Sequence, residues 1–528
     1  MDIYFHSPHC SPSTTKIMRF LGVLVGLLCC IVLLTLFKFF HKFWWIPKRV
    51  KYVMSSQGIS GPPYVFIYGN LKEISNMVKR STSSPMDTSH YIFPRIQPHL
   101  DSWFRIYGKN ILYWQGPQAE LVVTEPELLK QLMSVREISM GKLDVGPIYN
   151  KILGGGLVLA QGDKWAKQRK LATHAFNGER LKNMVPVMVE SAKMMLKRWK
   201  DSGTKEMEVY DEFKMLTSEV ISRTAFGSNY EEGKQVFQKL AELSLLVSKT
   251  TYKIRLPGIG MIFKDKDDVE SDKLQAGIEY LIMQMIRNRE KTISSGDEDK
   301  SATDYLGLLL KEHHDNDDNY KLSIQDVIGD CKTFYSAGHG TISLLLSWLT
   351  LVLGIHTEWQ EKAREEVQEV FGNQNPTSEG IARLKKMGMI INETLRLYPP
   401  GISTTRKVLK ETRVGNLVLP SNLNIQIPAL ALHLDPGIWG EDAHLFRPER
   451  FSEGIANAVN NNPGAFLPFG YGPRICVGSN FVMNEAKITL SMILQRYRFT
   501  LSPNYVHEPV QLVTLRPKSG IQMLFQPL

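Results

Sequence analysis

Two short stretches carry residue types able to do chemistry. FGYGPRICVG (Phe469 to Gly478) sets a single cysteine, Cys476, in a glycine-rich loop. Glycines let backbone amides approach a sulfur closely, and such donors stabilise a thiolate. AGHGTIS (Ala337 to Ser343) places Thr341 beside Gly338 and Gly340 inside a long apolar stretch. Glycine costs helix stability. Two so close together imply room for a flat group or a distorted turn, or tight helix packing. Of five cysteines, Cys10, Cys29 and Cys30 lie in or before the first apolar segment, leaving Cys331 and Cys476 in the main body. That is no disulfide framework, and no CxxC or HExxH spacing exists to hold zinc. A special thiol here acts singly, in a reducing compartment.

Other paired residues recur along the chain. Glu393-Thr-Leu-Arg396, in NETLRLYPP, sets an acid and an arginine one helical turn apart, where they can pair. Trp165-Ala-Lys-Gln-Arg169 and Pro448-Glu-Arg450-Phe451 add two more spaced motifs. With FGYGPRICVG, these stand in the order found in the cytochromes P-450, and the chain resembles that family from end to end. The resemblance implies a mainly α fold with small β-sheets (α+β). It also implies heme b (iron protoporphyrin IX) with Cys476 as axial ligand of the iron, a ligand type that favours O–O cleavage. Phe469 would shield the sulfur, and Trp165, Arg169, Arg406 and Arg474 would contact the propionates. Arg450 would join Glu393 and Arg396 in a buried charge network. Finer stretches, among them QGISGPPYVFIYGN, GDKWAKQRKLATHAF, HTEWQEKAREEV and YVHEPVQLVTLRP, resemble the plant membrane-bound clan of gibberellin, cytokinin, brassinosteroid and triterpenoid hydroxylases. That clan takes electrons from NADPH through NADPH–cytochrome P-450 reductase and inserts one oxygen atom from O2. Lys164, Lys167, Arg169, Lys170, Arg474 and Lys487 fit a footprint for this acidic-faced partner.

One position departs from the family pattern. In (A/G)Gx(D/E)T, Ala337, Gly338 and Thr341 match, but Gly340 stands where the acid belongs. The acid helps deliver protons for oxygen activation, and general acid–base assistance is worth roughly 10²- to 10⁴-fold. His339 is no simple substitute, because one helical step of about 100° turns it away from Thr341. Three readings stand. Water fills the glycine space and another group or a substrate hydroxyl delivers protons in a working monooxygenase, or the enzyme rearranges peroxides or dehydrates substrate without O2, or it is a weakened binder of heme and ligand.

These residues need elements to position them. Ser323 with Asp326 opens some thirty largely apolar residues, the pattern of a helix through the middle of a fold. Helical periodicity dominates from about Glu125 to Phe371, with strand-like ELVVTE and NLVLPSNLNIQIP on either side, and no repeat is visible. Phe20 to Phe37 is an uncharged run of eighteen residues, a helix of roughly 27 Å against a hydrocarbon core of ~30 Å. Lys16 and Arg19 precede it, while Lys38, Lys42, Lys48, Arg49 and Lys51 follow, which orients the body to the cytosol. The expected organisation is a lumenal stretch 1–19, a transmembrane anchor 20–37, a basic, aromatic and proline-rich flank 38–63, and a catalytic domain 64–528, single-pass in the endoplasmic reticulum membrane. The net charge of +10 suits an acidic partner or an anionic membrane surface. Nucleic acid is not expected, since zinc-finger, basic-leucine and RNA-binding patterns are all missing. By family analogy a lipophilic substrate (terpenoid, terpenoid hormone or fatty acid) would meet Phe334, Ile402, Thr404 and Val513.

Overall fold

The structure is a computed structural model that describes residues 12–135, 139–142, 146–203, 205–250, 265–294, 304–315 and 321–528. Its axis is the helix Ile324–Ile355, called here the central helix. The start is fixed by a reciprocal cap in which Ser323 and Asp326 each bond the other's backbone N–H. Thirty-two residues give it a length of about 48 Å. Nearly every side chain from Val327 to Tyr335 and from Ile342 to Leu353 is buried, so helices surround it on all sides. Such all-round hydrophobicity marks a core helix rather than an amphipathic one. No turn is distorted at AGHGTIS; the α-helix runs through it unbroken.

Helix Val209–Ala225 lies along the central helix, with Thr217 Oγ1 donating to the His339 carbonyl at 3.0 Å. Helix Gly162–Ala175 reaches the start of the central helix through the Lys164–Asp326 pair, and helix Gly178–Ser202, capped by Asn177 and ended by Gly203 at φ +62°, packs on Val209–Ala225 and on Ser479–Leu494. Ser479–Leu494 and Lys385–Leu397 close the remaining sides. Strands form a five-stranded sheet in the order Ile111–Gln115, Gln118–Val122, Asn424–Ile427, Thr404–Val408, Met140–Gly141. Only the second and third of these run parallel. NLVLPSNLNIQIP supplies two strands rather than one, because Leu417–Leu419 and Asn424–Ile427 are separated by the turn after Pro420. The architecture is mainly α with small β-sheets.

The N-terminal apolar run lies within a longer helix, Pro12–Phe40, which passes through a π-turn at His41–Trp45 into helix Ile46–Ser55. From Arg19 to Ser55 it is long and apolar enough to cross a membrane, with a peak mean hydropathy of 2.9. Its apolar side chains from Phe20 to Phe37 are exposed. Tyr64 Oη donates to the Phe43 carbonyl at 2.8 Å, joining the end of this helix to the proline turn. Residues 1–11, most of the expected lumenal stretch, lie outside the described residues.

One fully buried histidine ties two distant segments. His433 Nε2 accepts from the Leu467 amide at 2.9 Å, which requires a neutral ring with the proton on Nδ1. Burial, with Arg396 nearby, pushes its pKa down to about 3. The unfolded chain, titrating near 6.5, takes up this proton first, so the contribution is complete above pH 6.5 and is lost as pH falls toward 3. The expected cost is up to about 1.4 kcal/mol per pH unit. Urea midpoints at pH 7 and pH 5 check this. His433→Gln keeps an acceptor that does not titrate, and its midpoint should drop less on acidification than that of the natural protein. An equal drop would remove the assignment.

Candidate heme–thiolate site

The cysteine loop is built by short-range backbone bonds. Gly470 N donates to Leu467 O at 3.1 Å, Ile475 N to Gly472 O at 3.0 Å, and Cys476 N to Phe469 O at 2.9 Å. Gly470 and Gly472 adopt φ of +74° and +77°, where other residues are strained. A Cβ at Gly472 would also lie 2.4 Å from the Met133 carbonyl. The loop thereby presents Cys476 to a cavity. The thiol is accessible from that cavity yet enclosed by protein on its other sides. Burial pushes its pKa up, while the Gly478 amide and the Arg169 charge oppose the shift.

The cavity has two lobes, and both reach Cys476 and Thr341. Cys476 forms one wall and the central helix the opposite one, through Ala337, Gly338 and Thr341. Between them the lining is apolar, apart from a few hydroxyls and four cations: Lys142, Arg169, Arg406 and Arg474. No acid lines either lobe among the described residues. A cysteine sulfur, a slot facing a nearly side-chain-free stretch of helix, and four cations with no acid among the lining residues fit a flat, dianionic metal macrocycle.

Residues 93–525 match the cytochrome P-450 family. The chain belongs to that family. It is 52% identical over 507 residues to the cytochrome P-450 CYP749A22 of Panax ginseng, covering 96% of this chain and 97% of that one. It is 40% identical over 499 residues to an 11-oxo-beta-amyrin 30-oxidase of Glycyrrhiza uralensis, covering 92% of this chain and 94% of that protein. An echinocystic acid 23-monooxygenase of Saponaria officinalis is 38% identical over 535 residues, covering 96% and 100%. Cytochromes P-450 are heme–thiolate proteins, and the donor set around this cavity suits that cofactor.

Within this cytochrome P-450 the motifs converge unequally. Trp165, Arg169, Phe469, Arg474, Arg406, Phe334 and Thr404 line the cavity. The Arg474 guanidinium stacks over the Trp165 ring at 4.1 Å, and Arg169 donates to the Ile475 carbonyl at 2.5 Å. Arg406 donates to the Thr405 carbonyl at 2.9 Å. Two residues expected at the substrate are elsewhere. Ile402 is buried, and although Gly401, Ser403 and Thr404 face the cavity, it lines neither lobe. Val513 is exposed on the turn between Pro509–Gln511 and Leu515–Pro517 and also lines neither lobe. Sequence reasoning passed over Lys142, whose only local signal is a lone lysine after the edge strand Met140–Gly141.

Most of the six cations expected to meet a reductase have partners or a role within the protein. Lys164 pairs with Asp326, Lys167 with Glu312 at 3.1 Å, and Lys487 donates to the Ile381 carbonyl at 2.9 Å. Burial pushes Lys487 down, and Arg169 and Arg474 face the cavity. Only Lys170 of the set is an exposed side chain with no internal role assigned to it.

Glu393 and Arg396 are completely buried and pair through both carboxylate oxygens at 2.7 Å. Arg396 also donates to the carbonyls of His433 (2.7 Å), Ala443 (2.6 Å) and Leu445 (3.1 Å). Arg450 Nε lies 3.5 Å from Glu393, and Arg450 binds Asp442 at 2.7 Å.

The two glycines of AGHGTIS differ in kind. A Cβ at Gly338 would lie 2.8 Å from two atoms of Ile221, so close packing against helix Val209–Ala225 occupies that position. A Cβ at Gly340 would meet nothing within 4 Å. Thr341 Oγ1 donates to the Ala337 carbonyl at 2.8 Å, which leaves its lone pairs free to accept. His339 binds the Tyr335 carbonyl at 2.6 Å and packs edge-on to Phe237, and burial lowers its pKa to about 4. Gly338→Val is expected to destabilise by about 1–3 kcal/mol through overpacking. Gly340→Ala should be neutral, or stabilising by up to about 1 kcal/mol, because helix propensity rises without a clash. Thermal melts of the two variants that coincide would contradict this distinction.

Proposed function

We propose that this protein is a membrane-anchored monooxygenase that inserts one oxygen atom from O2 into a lipophilic terpenoid, with electrons from NADPH through NADPH–cytochrome P-450 reductase. The observation that carries the reading is the two-lobed cavity, with Cys476 on one wall and Thr341 on the other. Heme b bound there would supply reductive activation of O2. Cys476 would hold the iron, the Gly478 amide would favour the thiolate, and Arg169, Arg406, Arg474 and Lys142 would bind the propionates. The oxidations named for the 11-oxo-beta-amyrin and echinocystic acid relatives support a terpenoid substrate, and so does the apolar lining.

At Gly340 the chain leaves space where the family usually places a carboxyl. Thr341, already donating to Ala337, is set to accept a hydrogen bond from water or a substrate hydroxyl in that space. Proton delivery then passes through solvent or substrate, slower than through a fixed acid. Residues 20–37 would span the endoplasmic reticulum membrane, with the heavier positive flank and the catalytic domain 64–528 on the cytosolic side.

The reduced CO complex of the purified protein should show the red-shifted Soret band of thiolate ligation, and Cys476→Ser should lose it. Absence of the band in the natural protein would end the heme–thiolate reading. Gly340→Glu is expected to lower peroxide release per NADPH and raise product yield several-fold. If neither coupling nor rate moves, the account of this position fails. Conversion of a hydroperoxide without NADPH, but not of terpenoids with it, would overturn the monooxygenase assignment.

A further inference from the structure

The wall of the cavity nearest the start of the central helix is not part of a helix or strand. It is the glycine-rich strap 154–160, which carries Leu157 and Val158 into the lining. The strap lies so close to the central helix that side chains are excluded from the contact. A Cβ at Gly154 would be 2.8 Å from Gly329 Cα, and one at Gly156 would be 2.4 Å from Thr333 Oγ1. From the helix side, a Cβ at Gly329 would be 3.0 Å from Gly155 N. Two hydrogen bonds fasten the strap. Thr333 Oγ1 donates to the Leu153 carbonyl at 2.7 Å, and Asp330 Oδ1 accepts from the Leu157 amide at 2.7 Å. Lys164, paired with Asp326 one turn earlier on the helix, flanks the same strap.

Asp330 is fully buried, an unusual place for a carboxyl that neither lines the cavity nor pairs with a cation. Its Oδ2 and the Tyr305 hydroxyl, both buried, lie against each other without reaching hydrogen-bond geometry. Burial pushes Asp330 up to about 7, against the pull of the Leu157 amide, Tyr305 and Lys164. A carboxyl divided between its two forms near neutral pH keeps this bond in either. The charged form accepts from Leu157, and the neutral form accepts through Oδ1 while Oδ2–H turns to the Tyr305 oxygen. Tyr305 in turn packs on Phe334 at 4.2 Å between ring centroids, and Phe334 lines the cavity.

We propose that Asp330 is a positioning residue that sets the shape of the substrate cavity by holding the Leu157–Val158 wall through one amide hydrogen bond. The inference deepens the heme–thiolate reading and rests on it for the word substrate, though not for the bond. A bulky lipophilic ligand touches this wall, whereas a small one does not. Selectivity by size and shape is therefore the property that Asp330 governs, and oxygen chemistry is not.

The test uses the full-length heme protein and three variants. Asp330→Asn keeps an acceptor for Leu157 and a donor for Tyr305. Asp330→Leu removes the acceptor, and Asp330→Ser, too short to reach the amide, serves the same purpose where leucine does not fold. Amide hydrogen exchange of peptides spanning 153–160 should quicken about 10-fold in the leucine or serine variant and stay within 2-fold in Asp330→Asn. Binding of clotrimazole, followed by the Soret shift, should weaken 5-fold or more in the same variant, with imidazole binding unchanged. Unaltered exchange without the acceptor would overturn the proposal. So would an asparagine variant as loose as the leucine one, which would assign the effect to charge. Loss of imidazole and clotrimazole affinity together would overturn the role in selectivity. The exchange readout needs no iron chemistry, so a missing thiolate band would sink the heme reading while leaving the strap's attachment measurable.

Discussion

The buried pair Glu393–Arg396 is the contact on which the rest of the site depends. Two charges with no solvent exposure are costly, and only dense hydrogen bonding repays that cost. Here the repayment is made with backbone. Arg396 takes three carbonyls from the segment 433–445, and Glu393 takes the Arg447 amide at 2.8 Å. The pair thus fastens a long irregular stretch that has little regular structure of its own. Removing one partner would strand the other and release that stretch, a loss of about 3–5 kcal/mol by the usual measure of broken buried pairs.

From there the constraint passes to the sulfur by a short route. Arg396 holds the His433 backbone, the His433 ring holds the Leu467 amide, and two residues further Phe469 accepts from Cys476. The first two bonds are between buried residues, where an unmade hydrogen bond costs more than in water. The position of the thiol is therefore set by a charged pair on a helix some eighty residues earlier in the chain. The opposite wall is set independently, by the packing of Gly338 on Ile221 and by the cap at Ser323.

What was legible in the sequence is what is local. FGYGPRICVG encodes its turns in its own glycines, and Glu393 and Arg396 are one turn apart on one helix. The central helix announces itself by length and apolarity, and Ser323 marks its start. The roles of His433, Asp330 and Lys142 depend on partners far away in sequence or on a shared cavity, and no spacing rule reveals them. Ile402 shows the finest limit, since adjacent residues in an irregular segment face opposite ways, and Gly401 and Ser403 line a cavity that Ile402 does not. Lys164, Lys167 and Lys487 show another, because a cation's sequence neighbours do not tell whether an acid or a carbonyl already holds it.

The cavity's charge inventory bears on how the protein comes into being. Lys142, Arg169, Arg406 and Arg474 share one apolar space without an acid among its lining residues, and Arg169 and Arg474 oppose each other's charge. Four cations around one apolar space favour an anionic guest over a neutral or cationic one. A guest that binds only the folded chain stabilises it by mass action, because the unfolded chain does not assemble these four cations. The stability of the protein is thereby tied to the concentration of that guest.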